Sequence, residues 1–347
     1  MQRCAALLLI FGCAPAPHPE PPPAAAATPR PPSASASAPA APATSPAPAA
    51  AESKAQPAAA CPPAAPPPAA SAPETRTAQP GDGTWSAFGD AANGERAALG
   101  EPAVYRTVLH PHPASRFVTV TLAALDLCRL RLGYVPGKED VPKVTVPIER
   151  GVVPEPDRAA LVAVFNGGYK PEHGKFGMFA AGSSLVPPRE GACTVGLTPS
   201  SGVSISSQAP AADLIAYRQT PRCLLENGAL NPSLLAGDEK PWGGQAKDVV
   251  TRRRSALGVD ATGRFLFYAA GDEASPRLLA KALLAAGASA GAQLDINWYW
   301  VRFLLFAERE GRLGVSSTLI PGMEYQSTGY VERANERDFF YVARRSP

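Results

Sequence analysis

Asn166-Gly167-Gly168-Tyr169 follows a wholly apolar run at 160–165. Paired glycines at a strand end let the backbone approach a ligand closely and can turn amide N–H groups toward an anion, while Asn166 and Tyr169 would add directional polar contacts. The tetrapeptide reads equally as a plain glycine turn. Further along, Arg254 precedes Leu257-Gly258 and Asp295 follows Leu294. A guanidinium can grip two oxygens at once, and a carboxylate can activate water or stabilise a developing cation. Asp295 and Asn297 could also offer oxygens to calcium or magnesium, but two ligands make a thin metal site, and no cofactor is expected. Glu226 and Asp272 are reserve carboxylates, each better explained as a surface or turn residue.

Other chemistries find little support. His18, His110, His112 and His173 lack the spacing of a metal pair, and only His173 lies near enough to the glycine turn to be a reserve acid. No phosphate-binding loop, nucleophile elbow, dinucleotide fingerprint or paired-cysteine zinc spacing occurs.

The motifs form an ordered series: Asn166 to Tyr169, Gly177-Met178, Gly182, Gln219-Thr220-Pro221, Leu224-Leu225-Glu226-Asn227-Gly228, Arg254 to Asp260, Gly287 and Leu294-Asp295. From about residue 117 to about 306 this series resembles the phosphodiester glycosidase family. The resemblance implies a hydrolase that cleaves a sugar from a glycosyl phosphodiester in envelope or surface glycans. Such a reaction expels a phosphate monoester, already a good leaving group, so it needs a carboxylate at the sugar and fixed cations at the phosphate more than a strong general acid. Asp295 and Arg254 are therefore the expected catalytic residues. Asn166, Gly167, Gly168, Tyr169, Asn297 and Trp298 are the expected substrate contacts, with the two glycine amides assisting at the phosphate.

One departure matters. The family continues its late aspartate with glycines and a Ser or Thr, whereas this sequence has Asp295-Ile296-Asn297-Trp298-Tyr299-Trp300. Either Trp298 or Trp300 stacks on a sugar face, or the site has lost this activity and the chain is a non-catalytic glycan-binding envelope lipoprotein. A third reading is a phosphoester hydrolase with a metal at Asp295 and Asn297.

These residues must be held by mostly extended chain. Alternating β-branched and threonine residues predict a strand over 117–122, and 160–165 predicts a buried one. Strands at 255–259 and 264–269 flank a turn at 260–263. Ser275-Pro276 opens, and Gly287 closes, the best-signposted helix. Further strands are expected at 292–294, 301–306 and 339–343. Residues 81–100 read as a capped loop or short helix. The fold class expected is α+β, with a mixed or largely antiparallel sheet and few helices.

Of the 40 prolines, 21 fall between residues 14 and 80, a stretch otherwise made of Ala, Ser and Thr with few charges. Such a segment lacks the apolar side chains that offset ordering entropy, so 13–80 is expected to be a disordered Pro/Ala-rich tether and 81–347 one domain. Beyond residue 80 the balance is 29 basic against 27 acidic residues, which excludes a general nucleic-acid binder. Residues 1–12 resemble a lipoprotein-type signal, with Cys13 as the lipidated residue; this implies export and a lipid anchor in a bacterial envelope. Three of the six cysteines lie in the domain, Cys128, Cys193 and Cys223, with Cys61 in the tether. An oxidising compartment would permit one bridge, Cys193 to Cys223 being plausible, but spacing alone fixes no connectivity.

Overall fold

Short runs of aliphatic, aromatic and threonine residues, broken by Gly, Pro, Asn and Asp, suit extended chain. The computed structural model describes residues 61–89, 101–140, 148–243 and 252–345, and its strands form three sheets. The first sheet orders β1 (Ser86–Ala87), β2 (Val104–Leu109), β3 (Val120–Asp126), β14 (Phe265–Gly271), β13 (Arg254–Asp260), β15 (Ala288–Ile296), β11 (Leu225–Glu226) and β12 (Ala229–Leu230). The second orders β7 (Ser183–Val186), β6 (Met178–Ala180), β10 (Ala216–Thr220), β8 (Cys193–Leu197) and β9 (Val203–Ser206). The third orders β17 (Arg312–Thr318), β16 (Phe303–Arg309), β5 (Leu161–Asn166), β18 (Phe339–Arg344) and β4 (Leu130–Val135). Every strand pair described is antiparallel, so the expectation of a largely antiparallel architecture holds and that of a mixed sheet does not. Helices are few: α1 (Glu155–Arg158), α2 (Pro232–Leu235) and α3 (Pro276–Ala285).

The centre of the first sheet is buried on both faces. In β14, Leu266, Tyr268 and Ala270 face a core shared by all three sheets, while Phe265, Phe267 and Ala269 face the layer beneath α3. Covering both faces removes the apolar–polar alternation expected of a half-solvated strand. At the middle of the shared core, the rings of Phe165, Tyr268, Phe303 and Phe340 sit with neighbouring centroids 5.1–5.9 Å apart, joining the first sheet to the third. Helix α3 forms as its caps dictate: the Ser275 hydroxyl accepts from the Leu278 amide, and Gly287 takes φ +97° just past the end. Its Leu279, Ala280, Ala282 and Leu283 are buried against the first sheet.

Several boundaries shift. The strand expected at 117–122 is β3, beginning at Val120, and Phe117 is 82% exposed in the preceding turn. The segment at 81–89 contributes β1 rather than a helix. Residues 61–80, expected to belong to the tether, lie against the domain: Cys61 is bonded to Cys128, Ala70 is buried, and the Ala70 amide donates to the Gly83 carbonyl at 3.0 Å. A proline has no N–H to satisfy, so a proline-rich coil can pack with few backbone donors at risk. The second disulfide joins Cys193 to Cys223, so Cys61 resolves the odd cysteine of the domain. The leader, Cys13 and the rest of the tether lie outside the described residues.

Candidate active site

The carboxyl ends of β5 and β15 and the start of β18 meet at one point. The Asp295 amide donates to the Gly167 carbonyl at 3.1 Å, and the Gly167 amide donates to the Asp338 carbonyl at 3.0 Å. A register shift between β13 and β15 near Arg254 re-aims the side chains there, a common use of a bulge beside a functional site.

Asn166 does not face a ligand. Its Nδ2 donates to the Ser255 hydroxyl and to the Gly167 carbonyl, both at 3.0 Å; its Oδ1 accepts from the Tyr268 hydroxyl at 2.8 Å and the Arg302 amide at 3.2 Å. Its hydrogen-bonding capacity is committed within the protein, to Ser255, Gly167, Tyr268 and Arg302. The two glycine amides are likewise spent. Gly168 N–H donates to Asp338 Oδ2 at 3.1 Å, and a Cβ on Gly167 would stand 2.1 Å from that same oxygen. The turn does bind an anion, but the anion is an internal carboxylate.

That carboxylate organises a buried charged network that the motifs did not reveal. Asp338 Oδ2 accepts from Arg218 Nε at 2.8 Å and from the Tyr134 hydroxyl at 3.2 Å, while its Oδ1 is buried with no partner. Arg218, wholly buried, also donates to the carbonyls of Phe176, Gln219 and Tyr169. Arg337 bridges three groups: Asp140 Oδ1 at 2.9 Å, the Gly168 carbonyl at 2.9 Å and Asp295 Oδ2 at 3.2 Å. Asp140 closes the ring by accepting from the Asp338 amide. The sequence did offer two signals: an arginine inside the β10 run Ala216-Tyr217-Arg218-Gln219-Thr220, and the charged pair Arg337-Asp338 directly before the aromatic and aliphatic run that opens β18.

Asp295 is the most exposed acid of this network, with about 11% of its side chain open. Burial pushes its pKa up to about 6, against the Arg337 guanidinium and the Ile296 amide, which stabilise the anion. Burial and the charge of Asp338 also raise Asp140. Burial works against the charge of Arg337, yet Asp295, Asp338 and Asp140 hold its pKa above the ordinary value.

Arg254 and Tyr169 gather around the Trp242 carbonyl. Arg254 Nη1 donates to that oxygen and Nη2 to the Gly243 carbonyl, each at 3.0 Å, and the Tyr169 hydroxyl donates to Trp242 at 3.1 Å. Arg254 has no carboxylate partner within 4 Å among the described residues, and burial lowers its pKa. Gln293 donates to the Tyr169 hydroxyl and to Trp242, leaving its own Oε1 buried and unpartnered. The Tyr169 hydroxyl feels both Arg254 and Asp295, although burial is the larger influence and raises its pKa.

The loop after Asp295 departs from expectation. Asn297 Oδ1 accepts from the Tyr299 and Trp300 amides at 2.7 and 3.3 Å, and its backbone takes φ +141°. Asn297 caps a turn, and that oxygen is not available to substrate or metal. Trp298 lies over the Arg253 guanidinium at 4.9 Å, and Arg253 pairs with Asp272 at 2.6 Å, so Asp272 is a structural partner. Glu226 holds the Ser207 amide and hydroxyl, and His173 is exposed on a short 3-10 turn. Among the described residues no group of three or more His, Cys, Asp or Glu side chains is placed to hold a metal ion.

Comparison with known proteins gives distant likenesses of fold. No family model matches the chain, and no curated protein matches it. Among solved structures, the catalytic domain of zebrafish N-acetylglucosamine-1-phosphodiester alpha-N-acetylglucosaminidase, auto-inhibited by its pro-peptide, aligns at 13% identity and a TM-score of 0.46, covering 71% of this chain and 85% of that one. A hypothetical protein from Synechocystis aligns at 13% identity and a TM-score of 0.38, covering 70% and 62%. A putative exported protein from Burkholderia pseudomallei aligns at 12% identity and a TM-score of 0.30, covering 65% and 74%.

Proposed function

We propose that this chain is an exported hydrolase that releases a sugar from a glycosyl phosphodiester, with Asp295 as its catalytic carboxylate. The observation that carries the reading is Asp295 itself: a nearly buried carboxyl at a strand end, with one oxygen against Arg337 and a pKa raised to about 6. A carboxylate so placed ionises near neutrality and can serve the sugar centre as a base or as a counter-charge. Arg254 commits two of its five N–H donors to backbone carbonyls and retains others for phosphate oxygens. The motif series supports the substrate class. Two disulfides suit an oxidising compartment, and no helix among the described residues is long and apolar enough to cross a membrane. Lipidation at Cys13 and a spacer ahead of the domain complete the proposal; loss of palmitate labelling in Cys13→Ser tests the anchor.

The activity is tested on a panel of glycosyl phosphodiesters. Asp295→Asn should lower turnover by about 10²–10⁴-fold, the usual scale for an acid–base group. A folded wild-type protein inert across the panel sinks the reading, and loss of turnover on chelation would shift it toward a metal-dependent phosphoesterase. A non-catalytic glycan-binding lipoprotein is the second reading. It is favoured by the internal use of Asn166 and of the Gly167 and Gly168 amides, and glycan binding without turnover would establish it.

A further inference from the structure

A cleft of about 260 Å³ opens beside the aromatic loop, between Tyr299-Trp300 and the segment 324–336. We infer that this cleft is a separate saccharide subsite, which takes one sugar ring bearing a carboxylate or a phosphate. Its walls include Tyr299, Trp300, Tyr325 and Tyr330, with Arg302 among them. Tyr299 and Tyr325 are each about half exposed, at 51% and 47%, and so stand in water at the mouth instead of completing a core. Flat, amphipathic rings in a concave wall suit the apolar face of a pyranose while their polar edges reach its hydroxyls. The volume lies below the roughly 300–1,000 Å³ of pockets for larger ligands, which limits the occupant to a single ring.

The charge preference comes chiefly from Arg302, the buried cation of the wall; Arg333, exposed, also lines the cleft. Arg302 is 8% exposed, and none of the ion pairs among the described residues includes it. Its Nε donates to the Tyr299 carbonyl at 3.0 Å, Nη1 approaches the Tyr330 hydroxyl at 3.4 Å, and its guanidinium lies 5.1 and 5.7 Å from the Tyr299 and Trp300 ring centroids. Ring faces and two neutral acceptors compensate a buried cation only in part, so an anion delivered by the ligand would complete the site. Glu324 and Glu336 also line the cleft but are exposed, where water weakens their repulsion and leaves them free to accept from sugar hydroxyls. Arg337, which is not among the cleft-lining residues, lies 5.4 Å from the Trp300 ring and reaches Asp295. The subsite therefore adjoins the proposed catalytic carboxylate without sharing it, and its occupancy does not depend on turnover.

The test is calorimetric titration of the full chain with glucuronate, glucose 6-phosphate, neutral glucose and inorganic phosphate, with tryptophan fluorescence as a second readout. The charged sugars should bind roughly tenfold or more tightly than glucose, the scale of one charge-assisted hydrogen bond, and more tightly than phosphate alone. The tighter of the two charged sugars identifies the anion. Tyr325→Ala, a change at an exposed ring, should weaken binding several-fold with no change in melting temperature; Arg302→Gln should abolish the preference for charge; Asp295→Asn should leave binding intact. Equal affinity for glucuronate and glucose, phosphate binding as tightly as glucose 6-phosphate, absence of binding, or an unaltered affinity in Tyr325→Ala would each overturn the proposal.

Discussion

The turn at Asn166–Tyr169 and the loop at Asn297–Trp300 both lie beside Asp295, the turn through the bond from the Asp295 amide to the Gly167 carbonyl and the loop by following it in the chain, and they spend their polar groups differently. In the turn, the Asn166 amide and both glycine N–H groups are bonded to the protein itself. In the loop, Asn297 caps a local turn while Trp298 and Tyr299 stand about half exposed. A glycine pair is free to approach a ligand only if no internal group reaches it first, and here Asp338 does. The bulky loop presents the accessible surface. The turn spends its polar groups inside the protein, whereas the loop turns two rings to water.

This contrast can be broken by measurement. Asp338→Ala strands the fully buried Arg218 guanidinium and should cost about 3–5 kcal/mol in urea unfolding, the usual result of breaking one side of a buried pair. Gly167→Ala places a methyl 2.1 Å from Asp338 Oδ2 and should cost about 1–3 kcal/mol by overpacking, with thermal unfolding as the measure. A neutral effect at either position would mean that the turn is not the rigid partner.

Acidity sharpens the same comparison. Activity that needs ionised Asp295 should rise with pH to a plateau, with a midpoint near 6 in kcat/KM. Arg337 lowers the Asp295 pKa, so Arg337→Gln should move that midpoint upward; an unmoved midpoint would assign it to another group. Stability should run the other way. The folded chain holds the Asp295 proton more tightly than an ordinary carboxylate with a pKa of 3.8, so the contribution of this group is greatest below about 4 and is lost as pH rises through about 6. The smallest effect is expected in the loop. Trp298→Ala removes a half-exposed ring over Arg253 and should cost no more than about 1 kcal/mol, the scale of a cation–π contact at an exposed site. A cost like that of Asp338→Ala would show that the loop is a structural clamp.

Helix α3 was legible because its start, stop and apolar face all lie within thirteen residues, Ser275 to Gly287. Strand β5 was legible as a buried apolar run, β13 and β14 as two strands flanking the turn at 260–263, and Arg254, Tyr169 and Asp295 as residues at strand ends and turns. The second sheet was not read at all: its strands are short, and Gly177 and Gly182 registered only as motif glycines. Asp338, Arg218, Arg337 and Asp140 escaped because they become informative only as partners, and the Asp338–Arg218 and Arg337–Asp140 bonds span 120 and 197 residues. The tether's end was misplaced at Pro80 for a related reason: proline content forecast the absence of regular structure, not the absence of contacts.

The sequence alone determined where chain can be extended, where α3 begins and ends, and which residue types could do chemistry, because turn propensity, capping and apolar pattern act over a few residues. Tertiary structure decided which of those groups remain for a ligand. Hydrogen-bonding capacity is finite, and only the meeting of β5, β15 and β18 shows that Asn166, Gly167 and Gly168 are already engaged while Asp295 keeps an open edge.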